Sequence, residues 1–153
     1  MKKTFILDEN VYIQSHTCRN IEDSQDNFNS AYLILWMLKK CHKIGLNNEL
    51  IKKYNEKSKM FRNVAIYGNV PRIWNEFLNR PEKHRFNSNH LNDLPEHFED
   101  DRHIIELAIF LGATLVTADG RLKNELPNWA EEKKFTINIK SPAEVLQEED
   151  LVS

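Results

Sequence analysis

The sequence predicts an α/β protein, a three-layer α/β/α sandwich around a mostly parallel central sheet. Short apolar runs rich in β-branched residues alternate with stretches in which apolar residues recur at helical spacing. Two of these runs are followed at once or one residue later by an aspartate, at the strand end where open α/β sheets place their ligands. At 153 residues, 41% apolar and 29% charged, the chain has the composition of one soluble domain over residues 1–153.

The amino-terminal third predicts a strand and a helix. Residues 4–7 form a short apolar run that ends at Asp8. Residues 15–29 are polar and indicate a loop or a short helix near the end of that strand. From Phe28 the apolar residues follow a helical pattern that closes near Gly45. The expected cap of this helix is Asp26 or Asn27, and its expected core aromatics are Trp36 and Tyr32.

The middle of the chain predicts a second strand and two helices. Residues 43–46 form the candidate strand, and residues 47–61 follow a helical pattern that begins with two asparagines, either of which would serve as its cap. Another amphipathic helix covers residues 70–78, with a proline in its first turn. Residues 80–96 carry two prolines, several asparagines and two histidines, which predicts an irregular connection.

A helix and a buried strand are the strongest local prediction. Residues 101–111 follow a helical pattern that Gly112 would end in a left-handed conformation. Residues 113–117 then form a run suited to a strand buried on both faces, and Asp119 follows it.

The last part of the chain predicts a strand and a closing helix. Residues 122–129 indicate a helical turn and loop, and residues 135–139 alternate as a final strand. Ser141 and Pro142 are a cap and a first-turn residue typical of a helix start.

Several classes of protein are disfavoured by composition. No run approaches the 18 apolar residues of a membrane span, and Asp8 comes too early for a signal peptide, so we expect a cytoplasmic protein with no membrane partner. Cys18 and Cys41 form no Cys-x-x-Cys pair, which argues against a zinc or redox motif. The six histidines form no metal-ligand motif, and we expect them at the surface or in loops.

Charge is distributed unevenly along the chain. Residues 39–85 contain 12 Lys plus Arg against 4 Asp plus Glu, a net charge of +8, whereas the rest of the chain is acidic. A basic surface of this kind attracts a polyanion such as RNA, and Trp74 beside Arg72 would be placed to stack on a base. The alternatives are that these charges lie on solvated helix faces and that Trp74 packs in the core.

Three aspartates are the candidate site. Asp8 and Asp119 follow predicted strands, and Asp101, with Asp100 before it, starts the predicted helix. If the two strands are parallel neighbours, Asp8 and Asp119 meet at one edge of the sheet. Clustered carboxylates hold hard divalent cations such as Mg²⁺ or Mn²⁺. The alternative is that each aspartate only caps a turn or helix.

Taken in order, these pieces resemble the PIN-domain family, PIN-like metal-dependent ribonucleases that include the toxins of toxin-antitoxin systems. The resemblance covers almost the whole chain. The pieces that carry it are Phe5-Ile-Leu-Asp8-Glu-Asn10, Asp101-x-x-Ile104-x-x-x-Ala108, Gly112-Ala-Thr-Leu-Val-Thr117-Ala-Asp119, and a final strand followed by Ser141-Pro142-Ala-Glu-Val-Leu146.

The resemblance implies catalytic, metal-binding roles for Asp8, Asp101 and Asp119. It also makes Asn10 and Thr117 polar neighbours of the site. Asp100 competes with Asp101, but only Asp101 has the family's interval of seven to a small residue, here Ala108.

The chain departs from the family pattern at two positions. Where a further acid usually precedes an aromatic residue, Lys53 precedes Tyr54, so that Glu49 or Glu56 would have to serve as the additional metal ligand. Where many members have another aspartate, this chain has Arg121.

The activity implied by the resemblance is hydrolysis of RNA phosphodiester bonds by water that a carboxylate-bound Mg²⁺ or Mn²⁺ activates. The implied partners are RNA and an antitoxin or another protein, with a homodimer also expected in some members. The alternative is a degenerate PIN-like module that binds RNA or a protein without cutting. The basic residues expected to hold the RNA backbone are Lys39, Lys43, Lys53, Arg62 and Arg72.

Overall fold

A computed structural model describes residues 2–61, 70–79, 82–83, 91 and 93–149. Within these residues it contains five strands and seven α-helices. The strands are β1 (Thr4–Leu7), β2 (Lys43–Leu46), β3 (Glu82–Lys83), β4 (Thr114–Val116) and β5 (Asn138–Lys140). The helices are α1 (Glu9–Thr17), α2 (Asn29–Lys39), α3 (Asn48–Ser58), α4 (Val70–Asn79), α5 (Arg102–Leu111), α6 (Gly120–Glu132) and α7 (Pro142–Glu148). Short 3-10 helices, Lys59–Phe61 and Glu96–Asp101, follow α3 and precede α5.

The strands form one sheet in the order β3-β2-β1-β4-β5, with every neighbouring pair parallel. β1 is central, and Leu7 lies opposite Val116 in β4. Because crossovers between parallel strands are right-handed, the helices that precede β3 and those that lead into β4 and β5 cover opposite faces. α7 packs against α2. The predicted α/β/α sandwich is therefore confirmed.

Two helices differ from the sequence prediction. α1 covers residues 9–14, for which no helix was predicted, and extends into the stretch expected to be a loop or a short helix. Its inner face includes buried polar side chains, Gln14, Ser15 and His16, which interrupt the apolar pattern. α6 extends over 13 residues where a turn and loop were expected, although Pro127 lies inside it. Asp119 caps α6. The buried apolar side chains of α6 recur at helical spacing, and their burial offsets the free-energy cost of a proline inside the helix.

Several smaller expectations also need correction. α2 ends at Lys39 rather than near Gly45, and Phe28 occupies its cap position, with no side-chain cap bond. Tyr32 is 53% exposed, whereas Trp36 is buried as expected. The last strand, Asn138–Lys140, begins three residues later than predicted because α6 is longer.

The buried apolar residues of the described chain form one connected cluster on both sides of the sheet. Gly45 in β2 lets α5 approach closely, since a Cβ there would lie 2.8 Å from Leu111 Cδ2. Gly112 ends α5 at φ 66°, as predicted. Among the described helices none is long and apolar enough to span a membrane.

Candidate metal and phosphodiester site

Asp8 is the buried anchor of the site. It follows β1, and its backbone N–H donates to Val116 O at 3.0 Å, which extends the sheet by one residue. Its carboxylate Oδ1 accepts from Glu9 N at 2.7 Å and caps α1. Only 4% of Asp8 is exposed. The strand end therefore holds a carboxylate inside the protein, at the position where the sequence predicted a ligand.

Thr117 connects Asp8 to the residues after β4. Its hydroxyl donates to Asp8 Oδ2 at 2.8 Å and accepts from Asn10 Nδ2 at 3.2 Å and from Asp119 N at 3.0 Å. Asn10 also donates to Asp8 Oδ2 at 3.2 Å, and its Oδ1 accepts from Ala118 N at 3.0 Å. The structure thus brings together Asp8, Asn10, Thr117 and Asp119, as the sequence predicted.

Asp119 serves as a helix cap and also faces the other acids. Its Oδ1 accepts from Arg121 N at 3.0 Å and from Leu122 N at 3.3 Å. Its second oxygen has no hydrogen-bond partner in the described residues. The cap interpretation is therefore correct, and it leaves one carboxylate oxygen available to a ligand.

Asp101 ends the 3-10 helix before α5 and is partly buried. Its carboxylate makes no cap bond to α5, and no hydrogen bond to it occurs in the described part of the chain. Asp100 is exposed beside it. Asp101 is the one of the two that interacts electrostatically with Asp8.

The charges of the carboxylates act on one another, that of Asp101 on Asp8 and that of Asp119 on Asp101. Burial, and then the charge of Asp101, raise the pKa of Asp8 from 3.8 to about 7. Burial, and then the charges of Asp119, Glu9 and Asp100, raise the pKa of Asp101 from 3.8 to about 6, against the lowering effect of Lys53. A bound cation would relieve this electrostatic repulsion between partly desolvated acids.

Glu9 is a member of the site that the sequence analysis missed. It lies in the first turn of α1, is partly buried, and its charge acts on both Asp8 and Asp101. Glu49, the predicted additional ligand, is exposed in the first turn of α3 and has no hydrogen bond or ion pair to the aspartates among the described residues. Adjacency of Glu9 to Asp8 was the only signal in the sequence.

Helix α3 is fixed against the site at two points. Asn47 caps it by accepting from Leu50 N at 2.9 Å, and Asn47 Nδ2 donates to His103 O at 3.1 Å. The buried Tyr54 hydroxyl donates to Leu7 O, immediately before Asp8.

Lys53 is partly buried on α3, beside Tyr54, and its charge acts on both Asp101 and His103. Within the described residues its ammonium group has neither an ion pair nor a hydrogen bond. Burial, and then Lys53, lower the pKa of His103 from 6.5 to about 4, so its imidazole is neutral at pH 7. The structure therefore places a positive charge beside the carboxylates.

The other predicted RNA contacts are not brought to the site. Lys39 ends α2 and Lys43 starts β2, so both lie towards the amino edge of the sheet, opposite Asp8. Arg72 is exposed on α4, with no contact to the aspartates in the described part of the chain. Arg62 lies outside the described residues.

Two expectations about aromatic side chains change. Trp74 is 2% exposed and its Nε1–H donates to Ser15 Oγ at 2.8 Å, so it is a core residue that cannot stack on a base. His16 is 4% exposed, contrary to the surface prediction, and its Nδ1 lies 2.8 Å from Tyr12 O. Burial lowers the pKa of His16.

The acids of the candidate site offer only oxygen donors, the ligand type that hard cations prefer. Among the described residues no three Asp, Glu, His or Cys side chains converge closely enough to enclose an ion. Mg²⁺ is commonly held by one or two carboxylates, waters and substrate phosphates rather than by an all-protein cage. The features of the described residues that such an ion would engage are the free oxygen of Asp119 and the mutual electrostatic repulsion of Asp8 and Asp101.

Comparison with known proteins found no match: no family model, curated protein or solved structure is significantly similar to this chain.

Proposed function

We propose that this protein is a PIN-like, Mg²⁺- or Mn²⁺-dependent endoribonuclease whose site is formed by Asp8, Asp101 and Asp119. The observation that carries the proposal is the buried carboxylate of Asp8 at the carboxyl end of the central strand, facing Asp101 and tied to Asp119 through Thr117. Burying an acid against other acids destabilises a fold, and such arrangements cluster at functional sites.

The residues of the chain have distinct tasks in this proposal. Asp8 and Asp119 offer carboxylate oxygens from a rigid strand end and a helix start, and Asp101 offers a third from the end of the 3-10 helix that precedes α5. Thr117 and Asn10 hold Asp8 in one orientation, since both donate to its Oδ2. When bound, the cation neutralises phosphate charge and lowers the pKa of a water molecule.

Lys53 would contact a phosphate of the RNA. Its charge lies beside Asp101, and it has no ion pair in the part of the chain that the structure describes. A lysine acts on phosphate as a point charge, so Lys53→Met should weaken RNA binding and reduce the slope of log affinity against log salt concentration by about 1. Lys53→Arg should retain most of the binding. An unchanged salt slope in Lys53→Met would contradict this role.

The rival function is a module that binds RNA or a protein without cutting. Two observations favour it: Lys53 supplies a positive charge where a cation would otherwise bind, and no compact group of three ligands occurs among the described residues. The nuclease and an RNA-binding form of the rival both predict RNA binding that depends on Lys53. Only the nuclease predicts products that require a divalent cation.

The deciding experiment measures cleavage of single-stranded and structured RNAs with Mg²⁺, Mn²⁺ or EDTA. We expect metal-dependent cutting by the wild type. In Asp8→Asn and Asp119→Asn the loss should exceed the roughly 10–100-fold typical of residues that only orient a ligand. Glu131→Gln, at an exposed acid of the helix that Asp119 caps, serves as the control with wild-type activity. A folded wild type that neither cuts RNA nor binds either cation would contradict the proposal.

An antitoxin or other protein partner, a homodimer and the cytoplasmic location stay predictions. The described chain does offer an apolar groove of about 560 Å³ between α2 and α4. Three large side chains along α2 are exposed at its border, Phe28, Tyr32 and Leu35. Exposed apolar surface of this kind is typical of protein contacts.

A further inference from the structure

A polar cavity of about 540 Å³ adjoins the acidic site. It lies between α1 with the loop that joins it to α2, the two residues that precede α6, and the start of α7. Asn10 and Asp119 belong both to the acidic site and to the wall of this cavity. Its volume is within the range of roughly 300–1,000 Å³ that small-ligand pockets have. A substrate held at the aspartates therefore has room to extend into it.

The chemistry of the wall favours an uncharged polar group. Two acids, Glu22 and Asp23, line the cavity together with Asp119, and no Lys or Arg is among its described lining residues. A phosphate would be repelled there. Five side-chain amides also line the wall, those of Asn10, Gln14, Asn20, Asn27 and Asn29.

Gln14 presents an unused donor to the cavity. The residue is 6% exposed, and its Oε1 accepts from Ser30 Oγ at 3.4 Å. Its Nε2 donates no hydrogen bond to any residue that the structure describes. This amide group lies in the wall of the cavity and is not among the fully buried polar atoms of the described residues, so it can donate to an acceptor on a ligand there.

Side-chain amides hold the loop between α1 and α2 in place through hydrogen bonds within the loop. Other polar side chains of the loop are left available to a ligand. Asn27 Nδ2 donates to Asn20 Oδ1 at 2.8 Å, and Asn27 Oδ1 accepts from Asn29 N at 3.0 Å. The side chains of Asn29 and Glu22 have no hydrogen bond or ion pair with the described residues. Ile21 is 54% exposed and adds an apolar surface to the wall.

Free donors, free acceptors and an apolar surface are what an unstacked nucleobase requires. Sequence-specific RNA recognition uses hydrogen bonds to the edges of splayed-out bases and packing against their faces. We propose that this cavity binds the base of the nucleotide next to the cleaved phosphodiester. Gln14 and Glu22 contact the edge of the base, and Ile21 packs on its face. The inference rests on the proposed ribonuclease function and assigns the substrate contact that sets sequence preference.

The first test needs no cleavage. The four ribonucleosides, which carry no phosphate, are titrated into the labelled protein and followed by NMR through the Gln14 side-chain amide and the backbone amides of residues 20–29. We expect one base to shift these signals most and to bind about three- to tenfold more weakly in Gln14→Leu and in Glu22→Ala. Gln25→Ala, an exposed change in the same loop outside the cavity wall, should bind as the wild type does.

The second test separates this inference from the proposed function. RNAs that differ at one nucleotide beside the cut are compared by cleavage rate, and the preference of the wild type should fall about three- to tenfold in Glu22→Ala. If the wild type cuts no RNA, the proposed function fails, and the nucleoside titration alone decides on base binding. No selective shift of Gln14 or the loop by any nucleoside would overturn the base subsite, whether or not RNA is cut.

Discussion

The two edges of the sheet handle charge in opposite ways. At the carboxyl edge Asp8 is 4% exposed, and the nearby acids disfavour its ionised form. Towards the amino edge Lys3 and Glu149 form an ion pair of 2.9 Å with side chains 53% and 32% exposed. Surface pairs of that kind contribute little, whereas a buried charge without a compensating partner costs much. Of these two edges, only the carboxyl edge holds an arrangement that lowers the stability of the fold, and that is where we locate the site.

The largest expected effect is on the pH dependence of stability. Folding raises the pKa values of Asp8 and Asp101 from 3.8 to about 7 and about 6. Between about pH 4 and 7 the native state therefore binds more protons than the unfolded chain, and the free energy of unfolding falls as pH rises. The stabilising contribution of each aspartate is complete below the pKa that it has in the unfolded chain, and it is lost as pH rises through the pKa that it has in the folded protein.

Removal of the Asp8 charge tests that effect. In metal-free protein, Asp8→Asn should reduce the fall in unfolding free energy between pH 4 and 8 by a few kcal/mol, at about 1.4 kcal/mol per pKa unit. Urea unfolding at several pH values measures it. Glu99→Gln is the control, because Arg102 lowers the pKa of Glu99 and its contribution disappears only at acid pH. An unchanged profile in Asp8→Asn would mean that Asp8 ionises without penalty.

An intermediate effect is expected at Thr117. Thr117→Val removes the hydroxyl that joins Asp8, Asn10 and the backbone N–H of Asp119, and should lower the free energy of unfolding by about 1–3 kcal/mol. Thr114→Val on the same strand is a matched control, since its hydroxyl accepts one exposed hydrogen bond from Asn138. Equal losses in the two variants, measured by urea unfolding, would show that the buried network adds nothing.

The smallest effect is expected towards the amino edge. Glu149→Ala removes the exposed ion pair with Lys3 and should change the free energy of unfolding by less than about 1 kcal/mol. The difference should shrink further in high salt, because exposed pairs are screened. A loss as large as that in Thr117→Val would remove the contrast between the two edges.

Much of the fold could be predicted because local patterns agreed with it. β1, β2 and β4 are short apolar runs, and the caps Asn47 and Ser141 act as their sequence context indicates. α1 could not be found from periodicity, since polar side chains occupy its buried face; Gln14 and Ser15 are hydrogen-bonded there to Ser30 and Trp74, which are distant in sequence. The length of α6 was also not predicted, because a proline such as Pro127 normally ends or interrupts a helix.

The site was predictable where it depends on strand ends and not where it depends on packing. Asp8 and Asp119 follow from two parallel strands that end together, whereas Asn10 and Thr117 were expected only from the family resemblance. Glu9 and His103 could not be placed at the site from the sequence. Only the packing of α1, α3 and α5 brings the carboxylate of Glu9 near Asp101 and the imidazole of His103 near Lys53. Glu49 carries a carboxylate that could bind a metal and lies one helical turn before Lys53, but its side chain is exposed to solvent.

The most direct test of the account is the position of bound Mn²⁺, detected by paramagnetic broadening of backbone amide signals at pH 8. We predict early loss of the signals of Glu9, Ala118 and Arg121 at low Mn²⁺ concentration, while those of Lys3 and Glu149 stay sharp. Asp8→Asn should abolish the selective loss. Broadening spread evenly over both edges, or selective loss that persists in Asp8→Asn, would contradict a cation site at the carboxyl end of the sheet.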